Sequence, residues 1–147
     1  MGYAQALSEP LVGLFDGCFS ESQGVENLAG RSFKFTVWVH RYAFRRWRQI
    51  GNAAVPPEAS DQWFYIQDAL TKSVELDQHG TGRRPAVDSN LGDLEDAAIW
   101  EPEQVEERLA DECSGRTNRH AAAMLDRAQR ICSSISRALA QSRSATA

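Results

Sequence analysis

The segment from Arg41 to Arg48 holds the side chains with the clearest binding chemistry. It carries four arginines and three aromatic residues: Arg41, Tyr42, Phe44, Arg45, Arg46, Trp47 and Arg48. Arginines neutralise phosphates and aromatic rings can stack on bases, while the same mixture also suits an anionic membrane surface. A helix with one buried and one charged face has this composition too. The segment therefore predicts either a surface for an anionic partner or such a helix.

No set of residues predicts catalysis or metal binding. His40, His79 and His120 lie far apart, and none belongs to an H-x-x-x-H or Cys/His cluster. The acidic run from Glu101 to Glu112 lacks the D-x-D-x-D-G pattern of a calcium loop. We therefore expect a non-enzymatic protein with no catalytic residues, no cofactor and no metal.

The three cysteines, Cys18, Cys113 and Cys132, form no C-x-x-C pair, and their number is odd. This usage predicts three reduced thiols rather than a disulfide framework. The first twenty residues lack the basic start of a signal peptide, and no run of about 18 apolar residues predicts a membrane span. We expect a cytoplasmic protein.

The charges are segregated along the chain. The net charge is −4, but residues 31–50 carry +6, residues 58–115 carry −11 and residues 116–147 carry +5. Such segments either lie against each other in the fold or mark a surface for an anionic partner. The acidic overall charge disfavours nucleic acid as that partner.

Helical spacing of apolar residues recurs along the chain. Leu7, Leu11, Leu14 and Phe15 predict a helix over 7–19, capped by Ser8. Residues 33–50 favour a helix as well, although Phe33, Phe35, Val37 and Val39 alternate with other residues as a strand would. Ser60 is expected to cap a third helix with Trp63, Ile66, Leu70 and Val74 as its buried stripe. Residues 79–90 are expected to form a loop.

The second half carries stronger helix signals. A short helix is expected over 91–98, and Pro102 is expected to open the next, which Gly115 ends. Thr117 or Asn118 is expected to cap the last helix, whose apolar stripe includes Met124, Ala128, Ile131 and Ile135. The predicted fold is all-α, an irregular bundle of five to six helices. It forms a single helical domain over 1–140 with a frayed tail at 141–147.

Three short motifs resemble the opening of a known family. They are Gly13-Leu14-Phe15-Asp16-Gly17-Cys18, Gly30-Arg31-Ser32-Phe33 and Arg45-Arg46-Trp47. Their order is similar to that in the HeLo (prion-inhibition and propagation) domains of fungal heterokaryon-incompatibility and cell-death proteins. The resemblance covers about the first third of the chain. The segment between Phe33 and Trp47 is shorter than in the family, and Arg48 stands where the family usually has glycine.

The resemblance implies an all-α bundle whose first helix is released on activation and acts on a membrane, causing cell death. It also implies control by an oligomerising module. On this basis the expected membrane or partner surface comprises Leu11, Leu14, Phe15, Arg41, Arg45, Arg46 and Arg48. The partner would be an anionic membrane, another protein or a second copy of the chain. The alternative is a helical protein-interaction domain without membrane activity.

A second resemblance is local. Gln49-Ile50-Gly51-Asn52-Ala53-Ala54-Val55-Pro56-Pro57 resembles the C-terminal Q-I-G-N-A-V-P-P motif of DNA cytosine-5 methyltransferases, with one alanine added. The rest of such an enzyme is missing, including a Pro-Cys nucleophile. This resemblance implies at most a remnant of a methyltransferase.

Overall fold

The computed structural model describes residues 1–79, 82–86, 91 and 94–144, and its fold is mixed α/β. Within these residues the chain forms eight strands in two mixed sheets and four α-helices. The prediction of an all-α bundle of five to six helices is therefore wrong. The helical fold that the HeLo resemblance implies is not the fold of this chain.

The elements follow one another in a simple order. The strands are β1 (Ala4–Ser8), β2 (Leu11–Phe15), β3 (Phe33–Val39), β4 (Trp63–Gln67), β5 (Val74–Gln78), β6 (Gly82–Pro85), β7 (Glu95–Asp96) and β8 (Ile99–Trp100). The helices are α1 (Val25–Leu28), α2 (Ala43–Arg46), α3 (Pro102–Cys113) and α4 (Arg119–Ser144), with a 3₁₀ helix at Pro57–Asp61.

The chain divides into two compact units. The first comprises Met1–Gln62 and Ala97–Asn118, and the second comprises Trp63–Asp96 and Arg119–Ala147. Each unit holds one sheet. The strand order is β1-β2-β3-β8 in the first and β6-β5-β4-β7 in the second. Neighbouring strands are antiparallel, except that β8 runs parallel to β3 and β7 runs parallel to β4.

The predicted first helix is a β-hairpin. The strands β1 and β2 pair through Ala4↔Leu14 and Ser8↔Leu11, and Glu9 and Pro10 form the turn. All five residues of β2 are buried. A strand buried on both faces shows no polar alternation, so its apolar residues fitted a helical period equally well.

The predicted second helix is mainly strand β3. The alternation along Phe33–Val39 was the correct signal, because Phe35, Val37 and Val39 project to one face of the sheet and are buried. Only Ala43–Arg46 is helical in this region. Gly13 lies beside β3, where a side-chain Cβ would come within 2.7 Å of the Phe33 ring, so only glycine fits there.

The predicted third helix is the hairpin of β4 and β5. Asp68 closes its turn, because the carboxylate accepts hydrogen bonds from the backbone N–H groups of Leu70 at 2.9 Å and Thr71 at 2.6 Å. Leu70, expected in the core, is 91% exposed at this turn. The turn side chains thus interrupt the helical period that the apolar residues suggested.

Two further predictions need correction. Strand β6 lies within the stretch expected to be a loop, while residues 80, 81 and 87–90 of that stretch lie outside the described residues. Strand β7 replaces the helix expected over 91–98, of which residues 92 and 93 are also outside the description. None of the helices in the described part of the chain combines the length and the apolar content that spanning a bilayer requires.

The helices predicted from Pro102 and after Asn118 are confirmed as α3 and α4. Glu101 and Gln104 form a reciprocal capping box at the start of α3. In the second unit, α4 covers its sheet through a core of Tyr65, Leu91, Ala128 and Ile131. Helix α4 continues to Ser144, into the segment expected to fray.

The expectation of three reduced thiols is wrong. Cys18 and Cys113 form a disulfide with their Cα atoms 5.5 Å apart, and Cys132 is not disulfide-bonded. The two bonded cysteines are 95 residues apart in sequence. The fold brings the end of α3 beside the loop after β2, and this proximity cannot be read from cysteine spacing.

Candidate functional site

The structure separates the residues of the predicted surface into two groups. Leu11, Leu14 and Phe15 are core residues of β2 and cannot contribute to a surface in this fold. Arg41, Arg45, Arg46 and Arg48 are all exposed, in and around α2. The candidate site is therefore built from the arginines and their surroundings in the first unit.

A single helical turn positions these arginines at the end of β3. The N–H groups of Ala43 and Phe44 donate hydrogen bonds to the carbonyls of His40 at 2.9 Å and Arg41 at 3.3 Å. The turn ends where the Trp47 N–H bonds the Ala43 carbonyl at 2.9 Å. Ala43 is buried and anchors the turn to the fold. Helical spacing then places residues four apart on one side of the turn.

One side of the turn faces the acidic start of α3. The Tyr42 hydroxyl donates to Glu101 at 2.8 Å or to Glu103 at 3.0 Å. Arg46 binds Glu103 at 2.7 Å, and it makes two hydrogen bonds to Glu106, each 2.9 Å long. We call these five residues, together with Trp47, the acidic anchor.

The acidic anchor shifts the ionisation of its members. The Trp47 indole N–H also donates to Glu106 at 2.9 Å. Hydrogen bonds from Arg46 lower the pKa of Glu106, with a further contribution from Trp47. Hydrogen bonding to Glu101 raises the pKa of the Tyr42 hydroxyl. At neutral pH the Glu106 carboxylate is thus charged and the Tyr42 phenol is neutral, and both states favour the contact between α2 and α3.

This arrangement predicts an acid-sensitive contact. Because the folded-state pKa of Glu106 is lowered, its contribution to stability is present above the usual glutamate pKa of about 4.3 and is lost as pH falls through the lower folded value. The indole N–H resonance of Trp47 should therefore shift with a midpoint below about 4.3. In Glu106→Gln this titration should disappear. A midpoint at or above the ordinary value would contradict the hydrogen-bonded geometry.

The other side of the turn carries positive charge that is neutralised only at Arg41 among the described residues. Arg41, Phe44 and Arg45 have the i, i+3, i+4 spacing of one helical side, and the exposed Arg48 follows directly after the turn. Arg41 pairs with Glu9 at 2.6 Å. The guanidinium groups of Arg45 and Arg48 have no ion pair or hydrogen bond to any of the residues that the structure describes. We call Arg41, Phe44, Arg45 and Arg48 the basic face.

A groove adjoins the basic face at Arg41. It has a volume of about 510 Å³ and is lined by Glu9, Pro10, Val39, His40, Arg41 and Ile99. Ile99, on the edge strand β8, is 60% exposed there. The His40 and Tyr42 rings lie 4.9 Å apart. The groove and the basic face together form one continuous candidate binding surface.

A charged cluster in the second unit has a structural role instead. The buried Asp96 of β7 pairs with Arg127 of α4 at 3.0 Å, while the Tyr65 hydroxyl donates to the Met124 carbonyl at 3.3 Å. Burial raises the pKa of Asp96, and the Arg127 guanidinium opposes that shift. These contacts fasten α4 to its sheet. No group of three or more His, Cys, Asp and Glu within the described ranges could hold a metal ion.

The sequence pointed to the arginines but not to their partners. Glu9, Ile99 and the acidic residues of α3 were not predicted as part of the site. The segregation of charge along the chain was the one signal for Arg46, since it set the basic segment 31–50 against an acidic segment that includes Glu103 and Glu106. Nothing in the sequence distinguished the paired Arg46 from Arg45.

The chain matches no protein-family model, no curated protein and no solved structure. The function proposed below therefore depends on the site geometry alone.

Proposed function

We propose that this chain is a non-enzymatic protein-interaction domain whose basic face binds an acidic segment of a partner protein. The observation that carries the proposal is the presence of Arg45 and Arg48 on the surface beside the exposed Phe44, without a described counter-charge. An arginine next to an aromatic ring is a frequent anchor in protein interfaces. A carboxylate brought to this face would form charge-assisted hydrogen bonds with either guanidinium.

The charges around the basic face favour a short acidic segment over a larger polyanion. The first unit has a net charge of −4, and the acidic anchor occupies the other side of the same helical turn. A membrane surface or a nucleic acid would extend over these acidic groups and be repelled by them. Two arginines would add only about 2 kcal/mol of attraction to an anionic bilayer, at roughly 1 kcal/mol each.

The burial of Leu11, Leu14 and Phe15 also weighs against the membrane function that the HeLo resemblance implies. The resemblance implies that these residues form the apolar side of a helix that is released on activation. In the hairpin they hold β2 between β1 and β3, so their release would require the sheet of the first unit to open. A binding domain needs no such rearrangement.

The test compares three anionic probes: a fluorescent twelve-residue polyglutamate peptide, vesicles containing phosphatidylserine, and a twenty-nucleotide single-stranded DNA. At low salt, we expect the wild-type chain to bind polyglutamate more tightly than it binds the vesicles or the DNA. Arg45→Glu/Arg48→Glu should weaken that binding at least tenfold, because attraction becomes repulsion at the contact. Fluorescence anisotropy measures the peptide and DNA affinities, and co-sedimentation measures vesicle binding.

The matched control is Arg130→Glu/Arg137→Glu, which changes the net charge equally but alters exposed positions on α4. It should bind polyglutamate within about threefold of wild type, because the basic face keeps all of its arginines and the charge change alters only the long-range attraction. Equal losses in both double variants would show that only net charge matters and would refute the proposal. Tighter binding to vesicles or DNA than to polyglutamate would refute it as well.

The disulfide bears on where such binding takes place. Disulfides persist in oxidising compartments, whereas in the cytosol cysteines are kept as reduced thiols. We therefore propose an oxidising compartment in place of the cytoplasmic location expected from the sequence. Acid quenching of cells followed by alkylation should label Cys132 alone. Labelling of Cys18 and Cys113 as well would support the cytoplasmic location.

A further inference from the structure

We infer that the groove beside Arg41 receives one bulky apolar side chain of the acidic partner segment. The inference rests on the proposed function and names the chemistry of the partner more closely. The bound peptide would carry a leucine-like residue flanked by glutamate or aspartate. The apolar residue would occupy the groove while the flanking carboxylates meet the basic face.

The floor of the groove is apolar and its backbone is already hydrogen-bonded. The Val39 N–H donates to the Pro10 carbonyl at 3.0 Å, and the His40 N–H donates to the Trp100 carbonyl at 2.9 Å. These bonds connect the β1–β2 turn, the end of β3 and the edge strand β8. The groove is thus preformed, and an occupant gains from apolar contact without first reordering the chain.

Ile99 is the most exposed of the three apolar residues that line the groove. Its backbone lies next to Trp38 in the parallel pairing of β8 with β3, so its position is set by the sheet. At 60% exposure it offers more apolar contact than the buried Val39. A volume of about 510 Å³ accommodates a large aliphatic or aromatic side chain.

Charge determines which kind of partner fits. Arg41 both lines the groove and belongs to the basic face, so an occupant of the groove has its neighbouring residues beside Arg41 and Arg45. Glu9 already binds Arg41 at 2.6 Å, but this pair is exposed, and an incoming carboxylate can exchange with it at little cost. A basic peptide would meet repulsion at the same positions.

The experiment titrates the isotopically labelled chain with three capped peptides of sequence Glu-Glu-Leu-Glu-Glu, Glu-Glu-Ala-Glu-Glu and Lys-Lys-Leu-Lys-Lys. Amide shifts of Val39, His40 and Ile99 report the groove, and those of Phe44 to Arg48 report the basic face. We expect the acidic leucine peptide to bind about tenfold more tightly than the alanine peptide, because only leucine buries apolar surface. The lysine peptide should not bind.

Two variants separate the groove from the basic face. Ile99→Ala should reduce the preference for leucine over alanine to about twofold, because it weakens the leucine peptide more than the alanine peptide. Arg45→Glu/Arg48→Glu should weaken both acidic peptides by the same factor. Because Ile99 and both arginines are exposed, each variant should keep the wild-type pattern of shifts elsewhere.

The outcomes distinguish the groove from the proposed function. Equal affinity for the leucine and alanine peptides would overturn the groove assignment while leaving the acidic partner in place. Failure of both acidic peptides to bind, or equal binding of the lysine peptide, would overturn both. Concentration-dependent shifts at Ile99 without any peptide would make a second copy of the chain the occupant and would overturn the inference.

Discussion

Replacement of both Cys18 and Cys113 by serine is expected to lower the free energy of unfolding of the first unit by about 4 to 5 kcal/mol. Closing a loop of 95 residues restricts the unfolded chain, and the loop-entropy relation gives about 4.7 kcal/mol for a loop near 100 residues. Both cysteines are exposed, so the change leaves no cavity in the folded state. The loss should therefore come almost entirely from the unfolded chain.

Urea unfolding followed by tryptophan fluorescence measures this effect. For a urea dependence of about 2 kcal/mol per molar, the midpoint should fall by roughly 2 M. A dithiol reductant should lower the wild-type midpoint to the same value, since reduction returns the two sulfurs to thiols and oxidises the dithiol to its disulfide. The reductant should leave the urea midpoint of the double serine variant unchanged.

Cys132→Ser provides the matched control. Cys132 belongs to the second unit, and its sulfur accepts a hydrogen bond from the Leu91 N–H at 3.4 Å, which a serine hydroxyl can also accept. The urea midpoint of Cys132→Ser should remain within about 0.5 M of the wild-type midpoint under oxidising conditions. A double serine variant as stable as wild type would mean that the disulfide does not form in the protein.

Truncation of Ile131 to alanine should destabilise the second unit by about 2 to 5 kcal/mol. Ile131 is 5% exposed and belongs to the core of Tyr65, Leu91 and Ala128, where α4 covers its sheet. The substitution removes apolar contacts and leaves a cavity that the surrounding strands can fill only in part. Urea unfolding followed by far-ultraviolet circular dichroism, which reports the loss of α4, measures the cost.

Leu125→Ala on the same helix is the control, because Leu125 is 48% exposed. It removes a comparable amount of side chain, and leucine and alanine have similar helix propensities. Its cost should stay below about 0.5 kcal/mol, as is typical of surface changes. Similar costs for the two variants would mean that α4 presents a different face to the sheet.

The long helices could be predicted because their signals are local. Pro102 at the first turn and Gly115 after the last turn delimit α3, and a stripe running from Met124 to Ile135 marks α4. Caps act within one turn, and the 3.6-residue period repeats over many residues. The sequence by itself also identified the arginines after β3 as the charged surface, since their clustering does not depend on the fold.

The hairpins could not be distinguished from helices by the same reasoning. Leu11 and Leu14 satisfy a helical period, yet they are buried because β2 lies between two other strands of a covered sheet. Leu70 also continued a helical stripe, but the hydrogen bonds to the Asp68 carboxylate turn the chain there. Strand pairing depends on partners that lie far along the chain, which a local period does not record.

The binding surface shows the same division. The types and spacing of the residues determined that positive charge and aromatic rings lie together from Arg41 to Arg48. Only the tertiary structure decided that Glu103 and Glu106 neutralise Arg46 while Arg45 stays uncovered, and that Ile99 opens a groove beside Arg41. The reason is physical: a charge is neutralised by whatever the fold brings within a few ångströms of it, and here Glu103 and Glu106 lie 57 and 60 residues away from Arg46 in sequence.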